Sequence, residues 1–234
     1  MQPIRVFTLT CNKYLWAMRP FAYLFNQYWS SLQPVVVGCF APPSFPLPAN
    51  FTIYQIDKQD YPANKWSNGL IKMLKAVDDE FVVLLLEDYW LCRGVDHSGI
   101  LTLRDYMIGH GNVVRFDLTA DRLYGHMMRD VDYWGHYDII ECAEDAPYQM
   151  SLQAAIWRRE LLLWLLQPDK SAWEVELHTN MVGRDVRVLG SRQYPIRYSN
   201  AVYQGKIDRG QISSIPMPHR GVIEQWIPGE MESR

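Results

Sequence analysis

The sequence predicts an α/β fold: a mostly parallel sheet flanked by helices on both faces, with a less regular C-terminal part. Three observations predict it. Short apolar, β-rich runs alternate with amphipathic stretches over residues 4–117, in the order strand–helix–strand–strand–helix–strand–helix–strand. The run Phe81-Val82-Val83-Leu84-Leu85-Leu86 is unbroken and apolar, as in a strand buried on both faces. The length, 234 residues, suits a single domain, 1–234, that buries roughly 70% of the surface its unfolded chain exposes.

Residues 4–10 alternate and are β-rich, giving a first strand, followed by a polar turn at Thr10-Cys11-Asn12-Lys13. Met18, Phe21, Leu24, Phe25 and Tyr28 fall at helical spacing within 17–29. Val35-Val36-Val37-Gly38 is a second buried strand. Residues 41–48 hold four prolines and form a loop. The third strand covers 51–56 and ends at Asp57. Ser67 is positioned to cap a helix whose inner face is Leu70, Ile71, Leu74 and Val77. After the central strand a helix is expected over 99–107, then a strand over 113–117. In the second half, 137–140 and 150–156 read as strands and 158–166 as a short helix. Beyond Val186 short strands alternate with glycine and proline.

The formal charge of −3 argues against a uniformly basic nucleic-acid binder. Charge is uneven, however: residues 181–220 carry seven basic side chains against two acidic ones. Four cysteines without a CxxC pair read as reduced thiols in a cytoplasmic protein. Met1-Gln2-Pro3-Ile4-Arg5 leads into the first strand without a signal-peptide core, and no apolar run reaches membrane-spanning length. There is no GxxxxGK[ST], GxGxxG or GxSxG, which weakens P-loop, dinucleotide-dehydrogenase and α/β-hydrolase readings. The six histidines show no HxxxH pairing and read mostly as ordinary surface or core residues.

The central strand runs into Glu87-Asp88. Open α/β sheets bind ligands at the carboxyl ends of their strands. Two neighbouring carboxylates there can hold a hard divalent cation and, through it, phosphates, or can simply form a solvated acidic turn. The first strand with Thr10-Cys11-Asn12, the acids Glu87-Asp88, and the later Arg158-Arg159-Glu160-Leu161-Leu162 and Trp173-Glu174-Val175-Glu176-Leu177 together resemble GT-A-fold glycosyltransferases of the inverting, family-two kind. The resemblance covers roughly residues 4–180 in order and spacing. More loosely, the chain resembles small glycosyltransferase-like proteins of phage-type genomes, which would place it in the host cytoplasm.

The resemblance implies a nucleotide-sugar donor held by residues 1–120 and an acceptor held by 121–234. It implies donor contacts from Thr10, Cys11, Asn12, Asp57, Trp66, Asn68, Glu87 and Asp88. It implies a divalent metal, Mn or Mg, on Asp88 with Glu87 as helper and His219 as a third ligand. Glu174 takes the general-base position, with Glu176 as the other candidate: on a helix the two lie about 200° apart, so only one faces a cleft. The sequence departs from the family where Tyr89 replaces the second acid of DxD and Trp173-Glu174 replaces Glu-Asp. Asp117, Arg122, Gln149 and Gln153 are the acceptor-side candidates. The acceptor is a surface glycan or a hydroxymethylated DNA base, the latter kept in play by the phage-type likeness and the arginine-rich tail, while the missing membrane helix argues against a lipid-linked sugar. A sugar-phosphate nucleotidyltransferase and a non-catalytic nucleotide-binding protein are the rivals. Oligomeric state is left open.

Overall fold

The computed structural model describes residues 4–124, 127–178, 181–203 and 205–229. The opening Met1-Gln2-Pro3 and His126 lie outside the described residues. In chain order the elements are β1 (Arg5–Leu9), α1 (Met18–Tyr28), β2 (Val35–Cys39), β3 (Phe51–Gln55), α2 (Trp66–Lys75), β4 (Phe81–Leu86), β5 (Tyr89–Leu91), α3 (His97–Gly109) and β6 (Val113–Asp117). There follow β7 (Arg129–Trp134), β8 (Tyr137–Glu141), β9 (Ala155–Arg158), α4 (Arg159–Leu165), α5 (Ala172–His178) and β10 (Arg187–Ser191). The last described elements are β11 (Tyr198–Asn200), β12 (Val202–Tyr203), β13 (Lys206–Ile207), α6 (Arg209–Ile212) and α7 (His219–Ile223).

A nine-stranded sheet in the order β3-β2-β1-β4-β9-β6-β10-β8-β7 forms the centre. The block β3-β2-β1-β4 is parallel throughout. Only β9 and β8 run against the other seven strands. Alternate residues of β1 and β4 feed two separate cores, as the period of two requires. Val6, Val83 and Leu85 pack under α1 and α3 with Phe21, Phe25, Ile100 and Leu103. Phe7, Leu9, Val82 and Leu84 pack under α2 and α4 with Leu70, Leu74, Leu162 and Leu165. The sheet is thus covered on both faces, which is why β2 and β4 read as continuous apolar runs.

The structure corrects the sequence reading in three places. Residues 150–154 are not strand: Ser151 N donates to Tyr148 O at 3.0 Å in a turn. Leu152 N then donates to the Glu176 carboxylate at 2.7 Å rather than to a strand neighbour. The strand begins at Ala155 and inserts antiparallel between β4 and β6. Ser67 is no cap but sits inside the first turn of α2, where its hydroxyl accepts from Lys170 N at 3.0 Å. Strand β7 was not expected because it is a mostly exposed edge strand with no apolar alternation.

Candidate active site

Strand β1 has β2 on one side and β4 on the other, so the chain's direction of winding changes there and a crevice opens beyond the two carboxyl ends. A cavity of about 750 Å³ occupies it. Leu9, Thr10 and Cys11 from the end of β1 and Leu86, Glu87 and Asp88 from the end of β4 form its floor. Trp66, Tyr61 and Tyr14 supply aromatic walls, and Lys13 adds a cation to the lining.

The acid pair is held rigidly. The Asp88 carbonyl accepts from Trp90 N at 3.1 Å and from Ala201 N at 3.0 Å. The Trp90 indole N–H donates to the Glu87 carbonyl at 3.2 Å. Strand β11 pairs with β5 directly after the acids, and the stacked rings of Tyr89 and Tyr198, 4.1 Å apart, fasten the two. With its amide nitrogen turned toward acceptors, Asn200 donates to Asp88 Oδ2 at 3.0 Å and to Val202 O at 3.2 Å. Both residues line the cavity and are partly buried and densely surrounded. Burial, and then the Asp88 charge, raises the Glu87 carboxyl above the usual range; burial raises Asp88. Among the described residues no cationic side chain pairs with either acid.

Of the donor-side candidates, Thr10, Cys11, Trp66, Glu87 and Asp88 come together around this cavity. The other three serve its scaffolding. Asn12 N donates to Asp60 Oδ2 at 2.9 Å, tying the β1 turn to the loop that carries Tyr61. Asp57 accepts from the Tyr61 hydroxyl at 2.8 Å and from Lys72 at 3.1 Å. The Lys58 amide, then Tyr61 and Lys72, hold its carboxyl down to about 2. Asn68 exchanges hydrogen bonds with Asp169, at 2.9 and 2.8 Å. That zipper, with Ser67 to Lys170, brings Ser171, Ala172 and Trp173 into the cavity wall. Lys13, Tyr14, Asp60, Tyr61 and Trp173 were missed as cavity residues. The turn position of Lys13 and the place of Trp173 beside the acidic motif were the signals in the sequence.

Helix α5 separates the two glutamates. Glu174 closes a reciprocal cap: its Oε2 accepts from Ser171 N and Oγ, both at 2.8 Å, and Glu174 N donates back to Ser171 Oγ at 3.2 Å. Glu176 points into the protein interior, accepts from Leu152 N, and has its carboxyl raised chiefly by burial; neither glutamate is among the residues lining the cavity. It borders a buried charge network. Arg115, fully buried in β6, lies 3.4 Å from Asp117 Oδ1 and 3.8 Å from Asp121. Asp117 accepts from Thr119 Oγ1 at 3.0 Å and from Arg122 N at 2.9 Å. Arg122 donates to Gln149 Oε1 at 3.4 Å, Asp121 at 3.2 Å and the Tyr148 carbonyl at 2.9 Å. The Gln153 carbonyl takes Arg115 at 3.4 Å. The four acceptor-side candidates therefore form one network, but Asp117, Arg122 and Gln149 are buried and make their hydrogen bonds within it. Arg115 was missed, although an arginine inside Val113-Val114-Arg115-Phe116 was a visible anomaly.

His219 does not join the acid pair. Its Nδ1 lies 2.9 Å from the Tyr23 hydroxyl, with the Tyr23 and Tyr28 rings around it. Among the described residues there is no group of three His, Cys, Asp or Glu arranged for a metal. The basic segment is dispersed over separate elements. Arg187 pairs with Glu141 and Arg192 with Asp130, each at 2.7 Å, and Arg184 lies over the Trp164 ring. No helix among the described residues is long and apolar enough to cross a membrane.

No family model and no curated protein matches the sequence. Solved structures do. TarS 1-349 of S. aureus is similar at 16% identity with a TM-score of 0.50, over 83% of this chain and 60% of that one. A UDP-glucose pyrophosphorylase complexed with UDP-glucose is similar at 8% identity and a TM-score of 0.48, over 96% of this chain and 100% of that one. A CMP:2-keto-3-deoxy-manno-octonic acid synthetase complexed with CTP matches at 10% identity and a TM-score of 0.48, over 96% and 99% of the two chains. The chain spans about 60% of the length of TarS 1-349. At such identity the TarS likeness establishes the fold, a largely parallel sheet flanked by helices, and no activity.

Proposed function

We propose that this chain is a nucleotide-sugar-dependent glycosyltransferase of the GT-A-like kind. The observation that carries the reading is the cavity beyond β1 and β4, which is lined both by the Glu87–Asp88 pair and by the rings of Trp66, Tyr61 and Tyr14. Its volume is that of a small-molecule site. The rings offer a stacking surface for a base, and Lys13 offers charge to a phosphate. The acids fit a divalent cation: they are hard oxygen donors, and both are held toward neutrality where a cation would favour the charged form. Two side chains leave the remaining coordination to phosphate and water. Bound there, Mn or Mg would offset negative charge on the diphosphate leaving group.

The acceptor hydroxyl attacks the anomeric carbon, the bond from that carbon to the diphosphate breaks, and configuration inverts. The hydroxyl proton goes to a carboxylate of α5. Glu176 suits that role better than Glu174. A raised carboxyl makes a stronger base, whereas both hydrogen bonds to Glu174 Oε2 serve the helix cap.

The test is to incubate the protein with MnCl₂ and a panel of nucleotide-sugars and follow nucleoside diphosphate release. Slow release from one donor supports the reading. Pyrophosphate release from a nucleoside triphosphate and a sugar phosphate would instead support a nucleotidyltransferase using Lys13 on the triphosphate. Neither reaction, with nucleotide still bound, would leave a non-catalytic nucleotide-binding protein.

A further inference from the structure

We infer that Tyr148 and Trp173 form an aromatic platform at the mouth of the cavity that takes a neutral sugar ring, so that the acceptor is a glycan; this rests on the donor reading above. Trp173 is 62% exposed and Tyr148 41% exposed. Their ring centroids are 6.5 Å apart with the planes at 70°. One exposed ring is ordinary for a surface. Here two rings meet edge to face, and Trp173 also lines the cavity, so a sugar stacked on one ring and abutting the other lies at the wall of the proposed donor site.

Each ring is held by a separate device. Trp173 sits in the first turn of α5, inside the reciprocal Ser171–Glu174 cap. Tyr148 has a left-handed backbone, φ 59°, a region bulky side chains rarely adopt. It is kept there because its carbonyl accepts from buried Arg122 at 2.9 Å and from Ser151 N at 3.0 Å. A strained backbone that holds an exposed ring against a cavity-lining tryptophan points to use of that ring. Trp173 and Glu176 are three residues apart on one helix and therefore neighbours on its surface. A sugar on the platform would bring its hydroxyls toward the proposed base.

The chemistry favours a sugar over a nucleic acid. A pyranose ring offers an apolar face with polar edges, the complement of an indole or phenol ring. A polynucleotide would also stack, but it needs cations for its phosphates. Beside the platform Arg122 is buried, Lys170 lies 3.9 Å from Glu174, and Asp121 and Glu174 add negative charge. The basic segment gives little help, because Arg187 and Arg192 are paired elsewhere.

The test uses saturation-transfer NMR with maltotriose, cellotriose and chitotriose on the full chain and on Tyr148→Ala, Tyr148→Phe and Trp173→Ala, alongside calorimetric titration of UDP with MnCl₂. At least one trisaccharide should bind the parent protein. Tyr148→Ala and Trp173→Ala should each weaken it about three- to ten-fold, and Tyr148→Phe should retain it. If no trisaccharide binds, if the alanine variants bind as well as the parent, or if an oligonucleotide bearing 5-hydroxymethylcytosine competes for the rings, the platform is refuted. The two readings separate cleanly. UDP binding without trisaccharide binding sinks the platform alone, and trisaccharide binding without UDP binding sinks the donor reading alone.

Discussion

Exchanging the two glutamates of α5 for glutamine, one at a time, should produce opposite phenotypes. Glu174 accepts two hydrogen bonds from Ser171 and carries negative charge at a helix amino terminus. Glu174→Ala removes the cap acceptor, costing about 1 kcal/mol, and the favourable charge, about 0.3–1 kcal/mol. The pair with Lys170, at 3.9 Å and more than a third exposed, adds almost nothing. At about 2–4 °C per kcal/mol for a chain of this size, melting should fall by about 3–8 °C. Glu174→Gln should fall less, because the amide oxygen still accepts from Ser171. Turnover of nucleotide-sugar by both Glu174 variants should stay within a few-fold of the parent. Glu176→Gln keeps an acceptor for Leu152 N but cannot take a proton, and turnover should drop about 10²–10⁴-fold. Its stability should also depend on pH. Burial raises the Glu176 carboxyl in the folded state, so the native protein holds the proton more tightly than the unfolded chain. The parent therefore loses stability as pH rises above the ordinary carboxylate range, and the neutral glutamine does not. Relative to the parent, Glu176→Gln should melt higher at pH 8 than at pH 4. Thermal melts and a diphosphate-release assay read both effects. Loss of turnover in Glu174→Gln with Glu176→Gln still active would refute the assignment, as would full activity in both.

Two further predictions concern the acid pair and the fold. Because Glu87 and Asp88 are both raised, the apo protein should lose stability as pH rises above the carboxylate range, and MnCl₂ should recover it. The manganese-induced rise in melting temperature should thus be larger near pH 8 than near pH 5.5; equal or reversed shifts would contradict a metal at these acids. A Cβ at Gly99 would collide with the Tyr137 hydroxyl and sit 2.6 Å from Asp96 Oδ2. Those two groups are hydrogen-bonded at 2.7 Å, and Asp96 caps α3 through Gly99 N at 2.9 Å. Gly99→Ala should therefore cost about 2–4 kcal/mol, seen as a fall in melting temperature of several degrees; a melt unchanged within 1 °C would contradict the packing.

The parts legible in the sequence were those written in local pattern. Phe81 to Leu86 showed a strand buried on both faces because both cores draw on it, and Glu87-Asp88 at its end followed from adjacency alone. What stayed hidden depended on contacts far apart in the chain. Nothing near Ala155 indicates that β9 would insert between β4 and β6, since its pairing with β4 joins residues more than 70 apart in the chain. Asn68 reads as a helix-start residue until its partner Asp169 is known, 101 positions away. The family resemblance grouped His219 with Glu87 and Asp88, yet the Tyr23 and Tyr28 rings of α1 stand around it. The helical spacing of Glu174 and Glu176 correctly implied opposite directions, but which one pointed inward was settled by Ser171 and Leu152. The basic segment was visible as composition, while its dispersal depended on Glu141 and Asp130, which no linear count connects to it.

The donor site is tested most directly by calorimetric titration of UDP into the protein with and without MnCl₂, repeated on Asp88→Asn. Asparagine keeps the size of the side chain and can still accept from Asn200, so the variant should melt close to the parent. Saturable UDP binding that requires manganese in the parent and weakens at least about ten-fold in Asp88→Asn, a loss of about 1.4 kcal/mol, is the expected result. UDP binding with the same affinity in both proteins, or none in the parent with the metal present, would contradict a donor site at Glu87 and Asp88.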